Sequence, residues 1–259
     1  MAFYDYLMRI DDIIINIAFK TKHILRTNNP NLFSIKRRMK KNPFEGLGKD
    51  LYIVLNGPSL KSQNLKKLKG KNTMFVNRGF LHPLYSELQP KYHVFVDTKM
   101  LTGEWPVAWI DEIFRLSPNT KIVLPIEWYQ KPVFTKFKED KRIYWLEWEI
   151  PFYGIGVSST CFSFAITQKF ANIYFIGFDA NGLAYDMIKS SESHFYGSDP
   201  ELKDMTTMQF NTALYSHAIH LRSLNKFAEY CKHKNIHIYN MTNGGLLDMF
   251  PRKNFDDIN

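Results

Sequence analysis

The sequence predicts an α/β fold: a single Rossmann-like, mostly parallel sheet flanked by helices, with a lid segment and an N-terminal helical extension. Two observations predict it. Short apolar runs recur from residue 51 to residue 240 with helical patterns between several of them, an alternation that implies a parallel sheet covered on both faces. The first run, Leu51-Tyr-Ile-Val-Leu55, is apolar at every position, as a strand buried on both faces must be, and it breaks sharply into Asn56-Gly57-Pro58-Ser59. Open α/β sheets place a nucleotide at such a break, in the crevice at the carboxyl ends of their strands. Gly57 has no Cβ and lets backbone approach a ligand closely, and Asn56 and Ser59 add short polar side chains.

Residues 1–28 read as an amphipathic helix carrying Phe3, Leu7, Ile10, Ile14 and Ile17. Its longest apolar run, 13–19, is interrupted by Asn16 and is far too short to span a bilayer; Asp5, Asp11 and Asp12 argue against a signal peptide. Lys36, Arg37, Arg38, Lys40 and Lys41 follow. An apolar face followed by a basic cluster fits peripheral attachment to an anionic leaflet, or else an extra helix packed on the domain or a contact between subunits. Pro43 and Gly46 mark the entrance to the domain, which divides the chain into an extension, 1–46, and an α/β domain, 47–259.

Strands are expected at 51–55, 73–77, 92–97, 121–124, 142–146, 173–177 and 236–240, and the clearest helices at 158–170 and 211–234. Residues 180–210 are polar and lack a period, and are read as a lid.

With 259 residues, 45% of them apolar and 15% aromatic, the chain can bury one large core and is not disordered. Cys161 and Cys231 are too few for a disulfide framework, which favours a reducing compartment, and no zinc-ligand spacing occurs. The net charge of +9 points to an anionic partner: nucleotide, membrane surface or nucleic acid.

Polar residues at several strand ends would gather on one edge of the sheet. Asn77-Arg78 end the second strand, Asp97 the third, and Gly177-Phe178-Asp179 the sixth. Ser158, Ser159 and Thr160 open a helix after Gly154-Ile-Gly156; hydroxyls and free amides there suit a phosphate or carboxylate, or form a plain N-cap. No Asp-X-Asp triad ends a strand, Asp179-Ala180-Asn181 being the nearest approach, so no metal or other cofactor is expected. Of the eight histidines, His217, His220, His233 and His237 read as surface or packing residues. His194 stands apart in the lid, in Ser193-His194-Phe195-Tyr196-Gly197. An imidazole titrating near pH ~6.5 suits a general base.

Several of these segments together resemble the bacterial lipooligosaccharide sialyltransferases of glycosyltransferase family 42. Residues 56–61, Asn-Gly-Pro-Ser-Leu-Lys, resemble the nucleotide-binding loop of that family, and Asn77 falls where it has an asparagine after the second strand. Residues 173–179 resemble the strand before its lid. Asn181-Gly182 and Tyr185 match an Asn-Gly and a lid tyrosine that bonds the donor phosphate. Ser193-His194 matches the Ser-His carrying the general base, and Asn243 with Leu246-Leu247 resembles a segment after the last strand. There are departures. Asp97 stands where the family has asparagine. The family's Arg-Ile-Thr-Ser-Gly, which grips the donor carboxylate, has become residues 154–160, and its second lid tyrosine is replaced by Asn181 or Tyr196.

The resemblance implies an inverting, metal-independent transferase of nucleotide sugars acting on a bacterial surface glycan. A CMP-activated sialic acid is the first donor; a UDP-sugar or CMP-Kdo is the alternative. His194 is the expected base and Asp97 its rival. Tyr185, Ser158 and Ser159 are expected on the departing phosphate or the donor carboxylate. Asn56, Gly57, Pro58, Ser59, Asn77, Arg78, Thr160, Asp179, Asn181 and Asn243 complete the donor site. The location expected is cytoplasmic, on the inner face of the membrane if 1–46 attaches, with a homo-oligomer as a further expectation. A phosphotransferase is disfavoured by the lack of clustered carboxylates. A non-enzymatic membrane-surface or nucleic-acid-binding module is supported only weakly by residues 36–41.

Overall fold

The structure, a computed structural model, describes residues 2–41, 44–148, 150, 156–180, 182, 193–198 and 205–258, with side chains from residue 6 onward. Seven parallel strands form one sheet: β1 (Asp50–Val54), β2 (Thr73–Val76), β3 (Tyr92–Val94), β4 (Lys121–Pro125), β5 (Ile143–Leu146), β6 (Asn172–Ile176) and β7 (His237–Asn240), in the order β5-β4-β3-β2-β1-β6-β7. In register, Ile53 of β1 faces Met74 of β2 on one side and Phe175 of β6 on the other. Each expected strand is present. β3 is shorter than 92–97 because the chain leaves the sheet early: Phe95 N still donates to Val123 O at 3.1 Å, but Asp97 already turns the backbone through Lys99 N.

Strand alternation explains the two cores. Leu51, Ile53 and Leu55 point to one face and Tyr52 and Val54 to the other, as a period of two requires. The first face is covered by α6 (Gly156–Thr167) and α7 (Thr207–His233), through Phe162, Phe164, Leu224 and Phe227. The second is covered by shorter elements. These are α2 (Phe33–Lys40), α3 (Tyr85–Leu88), α4 (Lys99–Thr102), α5 (Trp109–Leu116) and several 3₁₀ turns. Leu32 and Ile35 share this second core, so the segment after the long N-terminal helix α1 (Ala2–Thr27) packs on the sheet.

α7 begins earlier than the expected helix at 211. Thr206 Oγ1 accepts from Gln209 N at 3.3 Å and Gln209 Oε1 from Thr206 N at 2.8 Å, a capping box that fixes the start. The expected lid therefore ends before Thr207, and most of the rest of it lies outside the described residues. Cys161 and Cys231 are free thiols buried on the same face of the sheet; burial pushes Cys231 up to about 12. No described helix is long and apolar enough to cross a membrane.

Phe162 is 1% exposed and stacks on Phe227 at 4.8 Å, with Phe175 edge-on at 5.6 Å. Phe162→Ala removes the ring that joins α6 to both α7 and β6. Urea unfolding is expected to show a loss of ~3–5 kcal/mol.

Candidate functional site

The strand order reverses once. β2 to β5 lie on one side of β1, and β6 and β7 on the other. The topological switch point is therefore at the carboxyl ends of β1 and β6, where open α/β sheets bind their ligands.

Two glycines bring these strand ends together. Gly57 N donates to Gly177 O at 2.8 Å. Gly57 has an ordinary extended backbone (φ −62), but a Cβ on it would lie 1.8 Å from Asp179 Oδ2 and 2.5 Å from Gly177 O. The close approach that Gly57 permits is thus made by Asp179 and the β6 backbone. Gly177 needs glycine twice over: its φ is +67, and a Cβ would meet Leu55 O at 2.6 Å. Pro58 opens the 3₁₀ turn Pro58–Ser62, where its fixed φ is an advantage. Ser59 Oγ and N then donate to Asp179 Oδ2, at 2.9 and 3.4 Å. Burial pushes the Asp179 carboxyl above its usual range, and the two bonds from Ser59 pull it partly back.

Asn56 links three segments. Its Nδ2 donates to Val76 O at 3.2 Å, fixing the amide orientation, and its backbone oxygen accepts from Phe195 N at 3.0 Å. Its Oδ1 is buried and has no hydrogen-bond partner among the described residues; the same holds for Asn77 Oδ1 and Ser193 Oγ. Native interiors leave few such groups unpaired.

Asn77 sits in the left-handed region (φ +48), which asparagine tolerates better than most residues. A buried relay holds it. His93 Nε2 lies 2.8 Å from Asn77 O, and Tyr85 OH lies 3.0 Å from His93 Nδ1. A carbonyl only accepts, so Nε2 carries the proton, Nδ1 is bare and the phenol donates. His93 is fully buried and desolvation pushes it down to about 3, so it is neutral. Sequence reasoning missed His93 and Tyr85; the signal was a histidine inside a strand expected to be buried.

The segment 193–198 is a tight turn. His194 N donates to Gly197 O at 2.9 Å and Gly197 N to His194 O at 3.1 Å, and the imidazole stacks on Tyr196 at 4.8 Å. Phe195 packs against His82 at 5.1 Å and against the core. The bond from Phe195 N to Asn56 O thereby ties the His194 turn to the end of β1.

Other expected site residues are placed differently. Arg78 is buried, its guanidinium 5.4 Å from the Trp105 ring and 5.3 Å from that of Trp109, a cation–π setting. Asp97 Oδ1 accepts from Lys99 N at 3.0 Å and caps the turn into α4. Ser158, Ser159 and Thr160 are buried in the first turn of α6, and Ser158 Oγ lies 3.4 Å from His220 Nε2 on α7. Desolvation, then the charge on His217, pushes His220 down to about 4. Asn243 Nδ2 donates to Ser62 Oγ at 3.0 Å and Thr242 Oγ1 accepts from Phe178 N at 3.1 Å, so the loop after β7 closes on the same end of the sheet. Asn181 and Tyr185 lie outside the described residues. Among those described, no three His, Cys, Asp or Glu side chains form a group that could hold a metal ion.

No family model matches the chain, and no curated protein matches it. Among solved structures, the sialyltransferase CstII from Campylobacter jejuni, in complex with a substrate analogue, cytidine-5'-monophosphate, is similar to it. The match has 16% identity, spans 80% of this chain and 85% of that one, and has a TM-score of 0.46.

Two outcomes are expected. Gly57→Ala forces Asp179 or the β6 backbone to move and lowers stability by ~1–3 kcal/mol, read by denaturant unfolding. The second outcome concerns acid. Folding pushes His93 and His220 down from 6.5 to about 3 and about 4, so the unfolded chain binds more protons below that upper value. The melting temperature therefore falls as the pH is lowered from 6.5 towards 4, and His220→Gln shows a shallower fall. Identical slopes for the two proteins would contradict the buried neutral state of His220.

Proposed function

We propose that this protein is an inverting glycosyltransferase that uses a CMP-activated nonulosonic acid, requires no metal, and acts in the synthesis of a bacterial surface glycan. The observation that carries the reading is the bond from Phe195 N to Asn56 O, 3.0 Å long, which ties the His194 turn to the switch point of the sheet. The resemblance of residues 56–61, 77 and 193–194 to the sialyltransferases adds to it.

The nucleotide fits the polar groups left open there. Asn56 Oδ1 and Asn77 Oδ1 are buried acceptors without partners among the described residues. Cytidine brings donors to them, the exocyclic amine of the base and the ribose hydroxyls. Uracil presents a carbonyl where cytosine has its amine, and an acceptor facing an acceptor loses the bond and keeps the desolvation cost. The Tyr85–His93 relay keeps Asn77 in its left-handed conformation while the ligand binds.

His194 takes the proton from an acceptor hydroxyl as that oxygen attacks the anomeric carbon. Attack comes from the face opposite the nucleotide, so the configuration inverts. The bond from the anomeric carbon to the phosphate oxygen breaks, and CMP leaves with the electron pair. Tyr185 is assigned to the departing phosphate. A departing monophosphate carries less total charge than a diphosphate, which suits stabilisation by hydrogen bonds alone.

Thermal stabilisation by CMP, CDP, UDP, GDP and ATP, each with EDTA and with Mg²⁺, tests the donor. A ligand at one hundred times its Kd adds ~2.7 kcal/mol to a folded state that alone binds it. A shift selective for CMP that survives EDTA is expected. A UDP-selective shift would replace the donor, and an ATP shift that needs Mg²⁺ would replace the reaction class. His194→Ala is expected to lose ~10²–10⁴-fold in transfer rate while keeping the CMP shift. Undiminished turnover would remove His194 from its role. Asp97→Asn keeps an oxygen for Lys99 N and retains most activity; a comparable loss there would make Asp97 the base.

A further inference from the structure

α1 is held to the body by its acids. Asp11 Oδ2 accepts from Tyr215 OH at 2.7 Å and pairs with Arg222 at 3.1 Å, and Asp12 pairs with Arg222 at 3.0 Å and Lys226 at 2.9 Å, all on α7. Ile15, Asn16, Phe19 and His23, on the same side of the helix, are half-buried.

The opposite side is apolar and exposed. Tyr6, Ile10, Ile13, Ile14, Ile17 and Ile24 recur at helical spacing on one stripe, and Ile13, Ile14 and Ile17 are each at least 60% exposed. The stripe borders an apolar groove of about 460 Å³ between α1 and α7, reaching Tyr215 and Arg222. Soluble surfaces rarely leave so continuous an apolar patch uncovered.

Among the described residues, Asp11 and Asp12 of this helix are turned inward, whereas Arg9 and Lys20 are exposed along one edge of the stripe. In α2 and just after it, Lys36 and Arg38 are engaged by Glu147 and Glu139, and Arg37, Lys40 and Lys41 are exposed. Asp11 and Asp12, two acids that reduce the net charge of this segment, are engaged in attachment to α7.

We propose that the outer face of α1 lies on an anionic lipid bilayer, with the isoleucine stripe sunk among the acyl chains and the cations at headgroup level. A second copy of the chain fits the same apolar stripe less well. It would bring the like-charged Arg9 and Lys20 together, whereas an anionic leaflet neutralises them. The helix lies in the membrane plane and does not cross it.

Cosedimentation of the full chain with vesicles tests this, using phosphatidylcholine alone and phosphatidylcholine mixed with phosphatidylglycerol. Binding to the anionic vesicles is expected, with little to phosphatidylcholine alone, and is expected to weaken as salt is raised. Ile13→Asn with Ile17→Asn lowers the affinity by about tenfold or more per side chain. Arg9→Gln and Lys20→Gln each lower it by roughly fivefold. Because all four residues are exposed, the melting temperatures of the variants match that of the parent chain. Failure to bind anionic vesicles at low salt, equal binding to phosphatidylcholine, or full binding by the isoleucine double variant would each overturn the proposal. So would a dimer by light scattering that the double variant returns to monomer.

Discussion

The seam between β1 and β6 is the constraint on which the rest of the site depends. Two strands far apart in sequence meet so closely that neither Gly57 nor Gly177 has room for a side chain. The 2.8 Å bond from Gly57 N to Gly177 O closes the seam, and Ser59 reaches across it to Asp179. A buried carboxylate is costly without hydrogen bonds, so the Ser59 donors and the Asp179 carboxyl need one another. The turn after β1, and with it Asn56, takes its position from this contact.

From that seam the site extends through backbone atoms. Asn56 holds Val76 with its side chain and Phe195 with its carbonyl, so the ends of β1 and β2 and the His194 turn are joined at one residue. Asn77 is held from behind by a neutral histidine and a phenol, both buried. The outcome is a rigid floor with two carbonyl acceptors still unfilled among the described residues, and preorganised acceptors of this kind favour a ligand that brings donors. The first turn of α6 is organised separately, with Ser158 turned towards His220.

The N-terminal segment divides its chemistry by side. Inward-facing acids attach α1 to α7, Leu32 and Ile35 enter the core of the sheet, and isoleucines and cations are left outside. Attachment thus uses one face of the helix, and the opposite, exposed face is free to be altered without unfolding the domain.

Much of the fold was legible in the chain. All seven strands, the two long helices and the N-terminal helix follow from apolar periodicity, which is a local property: a strand or helix must bury its own face wherever it packs. The loop at 56–59 was legible too, because breaks between periodic segments mark strand-end chemistry, whereas residues 193–197 were read only as part of an aperiodic lid, and their turn appeared with the structure. Which strand ends would meet was decided by the tertiary structure. Ser59 and Asp179 are 120 residues apart, and nothing in either neighbourhood predicts their bond. The same reason hid the relay through His93, the enclosure of Arg78 by Trp105 and Trp109, and the inward turn of Asp11 and Asp12. Each depends on a partner that the sheet order or helix packing supplies. Sequence alone determined the elements and the chemistry available at their ends; the order of the strands decided which of those groups share a site.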